Sequence, residues 1–90
     1  SFKLLLNGFS SRQKSSRAAA VKAVYKIYGR SSAAAQAMIR EALQFLKKND
    51  VISGLLELYD HRDGTLTEAL FWTSVVTRDV RFIPLLFVFR

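Results

Sequence analysis

Two apolar runs flank a short polar corner at residues 60–65. The run before the corner has the i, i+3, i+4, i+7 spacing of one helix face. Its residues are Ile52, Leu55, Leu56 and Tyr59. The run after the corner also shares one helical face, through Leu66, Ala69, Leu70, Thr73 and Val76. The pattern therefore predicts two helices joined by this corner.

Candidate caps set the expected limits of these two helices. Asp50 can accept hydrogen bonds from free N–H groups at the start of the first helix. Thr65 and Glu68 have the spacing of a capping box, which predicts that the second helix begins at Thr65. The alternative is a β-hairpin at Asp63-Gly64, because Asp-Gly favours a type I′ turn. A hairpin there would favour a winged-helix-like α+β fold.

Two further helices are predicted upstream. The first covers residues 17–28, capped by Ser15 or Ser16 and ended by Gly29 in the left-handed region. Its apolar stripe comprises Ala18, Val21, Val24, Tyr25 and Tyr28. The second begins after Ser31 or Ser32 and reaches about Lys48. Its apolar face comprises Ala35, Met38, Ile39, Ala42, Leu43 and Leu46.

These elements predict an all-α fold in a single domain over residues 1–90. The corners between helices are short, so neighbouring helices should pack antiparallel, in a small array of three to four helices. A chain of 90 residues can build one hydrophobic core, and its hydrophobic fraction of 50% suffices for one.

The charge is distributed unevenly along the chain. The formal net charge is +7, and no acid precedes Glu41. Eight cations up to Arg40 give the first part +8, and six cations against seven acids give the rest −1. This asymmetry predicts an anionic partner for the basic N-terminal part, residues 1–40.

Six cations form the predicted anion-binding site, with RNA or DNA as the favoured partner. They are Arg12, Lys14, Arg17, Lys22, Lys26 and Arg30. The last three recur every four residues along one side of the first long helix. The first three gather near the helix start, where the macrodipole disfavours cations. They should therefore lie in the preceding loop or surround a bound anion.

An apolar strip at residues 82–89 predicts a contact with other protein subunits. Its interface candidates are Phe82, Leu85, Leu86, Phe87 and Phe89. Pro84 biases Ile83 towards extended backbone. The strip is shorter than the roughly 18 residues that a spanning helix needs, so no transmembrane span is expected.

No stretch of the sequence carries the residues of an enzyme. The chain has no cysteine, which excludes thiol nucleophiles, disulfides and cysteine zinc sites. Its single histidine, His61, is expected to be solvated at the corner, as is Asp63. The acids there do not have the spacing of a calcium loop, so neither metal nor cofactor is expected. An intracellular, reducing compartment fits this composition, and the Arg- and Ser-rich, acid-poor N-terminal part also suits a mitochondrion or another organelle.

The corner and its flanking helices resemble armadillo and HEAT-like repeats. The residues that carry the resemblance are Leu55, Leu56, Leu58, Asp63, Leu66, Glu68, Ala69 and Leu70, together with 83–86 as the start of a next repeat. They cover about a third of the chain. The resemblance implies an interaction scaffold rather than an enzyme.

The leading functional hypothesis is a non-enzymatic binding module that docks nucleic acid within a larger assembly. The alternative is a structural subunit of an organellar or membrane-associated complex, held through the apolar strip.

Overall fold

A computed structural model describes residues 2–48 and 51–82 of the chain, and this part is helical. No strand occurs among these residues. The α-helices and one 3₁₀ turn follow in the order α1 Phe2–Gly8, α2 Lys14–Arg30, α3 Ala33–Leu43, α4 Phe45–Lys48, α5 Ile52–Leu56, α6 Gly64–Thr77 and the turn Val80–Phe82. The predicted helical fold is confirmed. The predicted count of three to four helices is not confirmed.

Helix α1 lies against α2 through its last residue. A Cβ atom added at Gly8 would lie 2.8 Å from the Cβ of Ala20, which is shorter than real contacts allow. Glycine therefore permits the close approach of the two helices. Phe9 follows at once and is fully buried, so this junction fixes the N-terminal segment on the core.

Helix α2 is longer at both ends than the sequence predicts. It begins at Lys14 after Gln13, and neither Ser15 nor Ser16 is its N-cap. It also continues through Gly29, whose φ is not positive. Polar side chains supply the reason, because they satisfy the last carbonyl groups of the helix. Ser31 donates to the Ile27 carbonyl at 2.7 Å, and Gln36 donates to the Tyr28 carbonyl at 2.8 Å.

The predicted helix from residue 33 to 48 is interrupted at Gln44. Ser32 caps α3 as predicted, since its hydroxyl accepts from the Ala35 N–H at 3.2 Å. At Gln44 the backbone tightens, and its N–H donates to the Glu41 carbonyl three residues back. The Gln44 side chain donates to the carbonyl of Val76 on α6 at 2.9 Å. This tertiary bond coincides with the break between α3 and α4.

Asp63 caps α6, so the capping box predicted at Thr65 is wrong. The Asp63 carboxylate accepts from the Leu66 N–H at 3.0 Å, and the helix begins at Gly64. The hairpin alternative is wrong as well, because a helix follows Asp63. Helix α5 ends at Leu56, which is earlier than predicted, and the proposed cap Asp50 lies outside the described residues.

Helix α6 is apolar on nearly all sides. Its two buried threonines satisfy their hydroxyl groups within the helix: Thr73 donates to the Ala69 carbonyl and Thr77 donates to the Thr73 carbonyl. Arg78 ends the helix in the left-handed conformation, at φ 52°. A helix of this composition is typical of a protein interior. Nevertheless, Phe71 and Val75 remain 45% and 55% exposed.

One hydrophobic core joins the described elements. Its buried side chains are Phe9, Ala20, Val21, Val24, Ile39, Leu43, Leu46, Ile52, Leu55, Leu58, Leu66, Ala69, Leu70 and Phe82. The predicted stripes supply most of them. Met38 is an exception, because it is 71% exposed instead of facing the core.

Phe82 belongs to the core and not to an exposed interface. Its side chain is 1% exposed, which leaves no free surface for a partner, so the interface prediction is wrong at this residue. The other predicted interface residues, Leu85, Leu86, Phe87 and Phe89, lie outside the described residues, as does Ile83. Within residues 2–48 and 51–82, no helix is both long enough and apolar enough to cross a bilayer.

Candidate functional site

The six predicted anion-binding cations fall into two groups in the structure. Two of them, Arg17 and Lys22, make specific bonds inside the molecule. The other four are exposed: Arg12, Lys14, Lys26 and Arg30. Arg12 lies in the loop before α2, as predicted, whereas Lys14 and Arg17 lie in the first turn of the helix.

Arg17 connects α2 to the preceding loop and to α5. Its Nη1 donates to the carbonyl of Ser11 at 2.8 Å and to that of Arg12 at 3.2 Å. Its Nε donates to the Gly54 carbonyl at 3.1 Å, and its Nη2 pairs with Glu57 at 3.1 Å. The side chain is only 11% exposed. The donors of Arg17 are thus engaged inside the molecule, so this side chain is not available as a free phosphate contact.

Lys22 connects α2 to the corner. Its Nζ lies 2.9 Å from Oδ2 of Asp63, and about a third of each side chain is exposed. The pKa of Asp63 is lowered, first by the hydrogen bond from the Leu66 N–H and then by Lys22. The expectation of a solvated Asp63 is therefore wrong. The ammonium group of Lys22 is also engaged in an ion pair, so Lys22 is not a free phosphate contact.

Asp63 has two separable roles, which its variants should resolve. Asp63→Asn keeps an oxygen for the Leu66 N–H but loses the ion pair, whereas Asp63→Ala loses both. In thermal unfolding at neutral pH, the melting temperature should therefore be highest for wild type, lower for Asp63→Asn and lowest for Asp63→Ala.

Acid should reduce the advantage of wild type over Asp63→Asn. The pKa of Asp63 is lower in the folded state than its ordinary 3.8. The hydrogen bond from the Leu66 N–H to the charged carboxylate and the ion pair with Lys22 therefore stabilise the fold above about pH 4, and this contribution is lost as the pH falls through the folded-state pKa. Equal melting temperatures for all three proteins at neutral pH would contradict both roles.

The four exposed cations are distributed along α2 and the loop before it, and Lys14 faces the corner, where it lines an open cavity. Lys26 and Arg30 are four residues apart on the face that points away from the core, and Lys14 and Arg12 lie at and before the helix start. None of the four forms an ion pair with another residue in the described part of the chain. We call these four residues the α2 cationic surface. They can neutralise phosphates without first breaking an internal bond.

A groove beside Trp72 brings together residues that the sequence pattern did not connect. Its volume is about 600 Å³. We call it the Trp72 groove; it is lined by the rings of Tyr28 and Trp72, by Val75, and by the cations Arg40, Lys47 and Arg78. The apolar stripe of the first long helix includes Tyr28, and both Tyr28 and Trp72 are half-buried at the edge of the core.

The aromatic rings of this groove hold one another in place. The ring centroids of Tyr28 and Trp72 are 4.9 Å apart at an interplanar angle of 50°. The ring centroid of Tyr25 lies 5.7 Å from that of Trp72, so the three rings form one cluster. Arg40 donates to the Tyr28 hydroxyl at 2.6 Å, and its guanidinium carbon lies 5.9 Å from the ring centroid. The aromatic surface and the guanidinium of Arg40 are thus held in place by contacts inside the molecule.

The charge of the Trp72 groove is positive. Among the described residues, Glu41 is the acid that lines it, so three cations and one carboxylate give a formal +2. Asp79 follows Arg78 in the chain, but Arg81 pairs with it at 2.8 Å. The hydrogen bonds from Arg81, with a smaller contribution from Lys47, lower the pKa of Asp79 to about 2. The groove therefore suits a ligand that is both flat and anionic.

The corner at residues 60–65 lines a further open cavity of about 510 Å³ together with Lys14 and Tyr59. His61 is exposed, as predicted, and Asp60 pairs with Arg62 at 3.1 Å. Among the described residues, no three His, Asp or Glu side chains lie together in a way that could hold a metal ion.

Comparisons of the chain with protein-family models, with curated proteins and with solved structures found no match.

Proposed function

We propose that the chain is a non-enzymatic binding module that docks nucleic acid within a larger assembly. The observation that carries the proposal is the α2 cationic surface. Four of the six cations predicted from the sequence lie exposed and form no ion pair with any residue that the structure describes, in a stretch of forty residues that contains no acid. Cations placed in this way attract a polyanion and release its counterions on binding.

Neutralising single cations of this surface tests the proposal. Lys26→Gln and Arg30→Gln each remove one predicted phosphate contact from an exposed position. On single-stranded nucleic acid, each should make the slope of log K against log salt shallower by about 0.7. Both variants should keep the melting temperature of wild type, because surface substitutions of this kind change stability little.

Arg62→Gln provides the matched control. It also removes one positive charge, from a side chain that is 80% exposed at the corner. Arg62 lines an open cavity together with Lys14, but its charge is already balanced by Asp60. Its salt slope should equal that of wild type. If all three variants changed the slope equally, net charge alone would govern binding, and the α2 cationic surface would lose its role. Fluorescence anisotropy across a salt series measures each slope.

A second candidate function is a structural subunit of an organellar or membrane-associated complex. Phe71 and Val75 support it, because they lie one turn apart on α6 and are 45% and 55% exposed, and a contiguous apolar patch is what a contact with another protein needs. An interaction scaffold is also what the armadillo and HEAT-like resemblance implies. Such repeats pack neighbouring helices antiparallel, and for this chain the antiparallel packing of neighbouring helices stays a prediction.

A further inference from the structure

We propose that the Trp72 groove is a stacking site for an unpaired nucleobase of a single-stranded nucleic acid. This inference rests on the proposed nucleic-acid function and specifies the kind of nucleic acid. A base would stack on the exposed part of the Tyr28 and Trp72 rings. The phosphates on either side of that base would meet the cations at the rim of the groove.

The first argument is the combination of a flat apolar wall with positive charge. Tyr28, Trp72 and Val75 supply the wall, and Arg40, Lys47 and Arg78 supply the charge from three separate segments of the chain. Aromatic rings beside cations are how proteins bind single strands, because every base has a face that can stack. A volume of about 600 Å³ lies within the range of small-ligand sites.

The second argument is the conformation of Arg78. It occupies the left-handed position after α6, at φ 52°, where glycine or asparagine is the usual residue. Such strained positions cluster at functional sites. Here the strained residue is an exposed arginine whose side chain lines the groove. A phosphate contact would give this arginine a role that glycine could not supply.

The third argument is continuity with the α2 cationic surface. Tyr25, Tyr28 and Trp72 also line a second open groove of about 580 Å³, together with Lys26. The aromatic cluster thus lies between Lys26 on one side and Arg40 on the other. A single strand can contact the outer side of α2 and place one base on Trp72. A duplex cannot, because its bases are paired and stacked inside the helix.

Trp72 itself reports on the site, because it is the only tryptophan in the chain. The probes are a single strand of about eight nucleotides, as RNA and as DNA, a duplex of the same sequence, and inorganic polyphosphate. We expect saturable quenching of tryptophan fluorescence by the single strands. Polyphosphate should bind in a salt-dependent manner and compete with them, but it should leave the emission nearly unchanged.

Val75→Glu is the decisive variant. Val75 is 55% exposed in the groove, and glutamate is a better helix former than valine, so the fold should persist. The introduced carboxylate should weaken single-strand binding about ten-fold and remove the quenching. Val80→Glu is the matched control, since Val80 is 73% exposed and does not line the groove. It should behave nearly as wild type.

The outcomes separate this inference from the proposed function. Two results would overturn the stacking site and leave the proposed function standing. One is salt-dependent binding of the single strand without any change in Trp72 emission. The other is an equal loss of single-strand affinity in Val75→Glu and Val80→Glu. The stacking site would also be overturned if another anion quenched Trp72 as strongly as the single strand does. The anions to compare are polyphosphate, an acidic peptide and anionic lipid vesicles. If no nucleic acid binds at any salt concentration, both proposals fail.

Discussion

Phe82→Ala should lower the free energy of unfolding by about 3–5 kcal/mol. Phe82 is one of the largest fully buried side chains, and truncation would leave a cavity in the core rather than a gap on the surface. Small domains have a total stability of about 5–15 kcal/mol, so this single change should remove a large share of it. Chemical denaturation followed by circular dichroism measures the loss.

Val80→Ala is the control for this substitution in the same 3₁₀ turn. Val80 is 73% exposed, so its truncation should change the stability by no more than about 0.5 kcal/mol. If Phe82→Ala were as stable as Val80→Ala but altered self-association in sedimentation, the sequence-based assignment of Phe82 to an interface would be restored.

Arg17→Met should destabilise the fold by about 2–3 kcal/mol while leaving the salt dependence of binding unchanged. Methionine keeps an apolar side chain of similar length but removes every donor. The carbonyls of Ser11 and Gly54 would then lose a bond that crosses between elements, and part-buried acceptors without partners are costly. Arg17→Lys should recover little of this stability, because the compact ammonium lacks the fixed fork of donors with which Nε and Nη1 of arginine reach separate carbonyls.

Glu57→Gln separates the hydrogen bonds of Arg17 from its ion pair. The Glu57 side chain is 66% exposed, and ion pairs of this kind contribute at most about 1 kcal/mol. The variant should therefore melt almost as wild type does. If Arg17→Met kept its melting temperature and instead made the salt slope shallower by about 0.7, Arg17 would be a phosphate contact after all.

Local periodicity was enough to predict α2, α3, α5 and α6 and most of their buried faces, but not α1 or the separate α4. Val21, Val24 and Leu43 are buried where their stripes predict, because a helical repeat of apolar residues reflects a core on one side. The ends of the helices were harder to predict. Helix α2 passes through Gly29 because Gln36 satisfies a terminal carbonyl, and α3 stops where Gln44 bonds to α6.

The composition of the basic N-terminal part indicated a charged surface but not which cations remain available. Arg17 and Lys22 look like Lys26 in the sequence, yet their partners lie 37 and 41 residues away. The Trp72 groove was missed for the same reason. Tyr28, Trp72 and Arg78 come from distant segments, and only folding places them around one surface.

The most direct test of the account is the salt dependence of single-strand binding by the unaltered chain. Anisotropy titrations of a labelled oligonucleotide at several salt concentrations give the slope of log K against log salt. Four engaged cations of the α2 cationic surface predict a slope of about −3, and engagement of the three groove cations as well would bring it to about −5. A slope near zero, or no binding at the lowest salt concentration, would contradict the account.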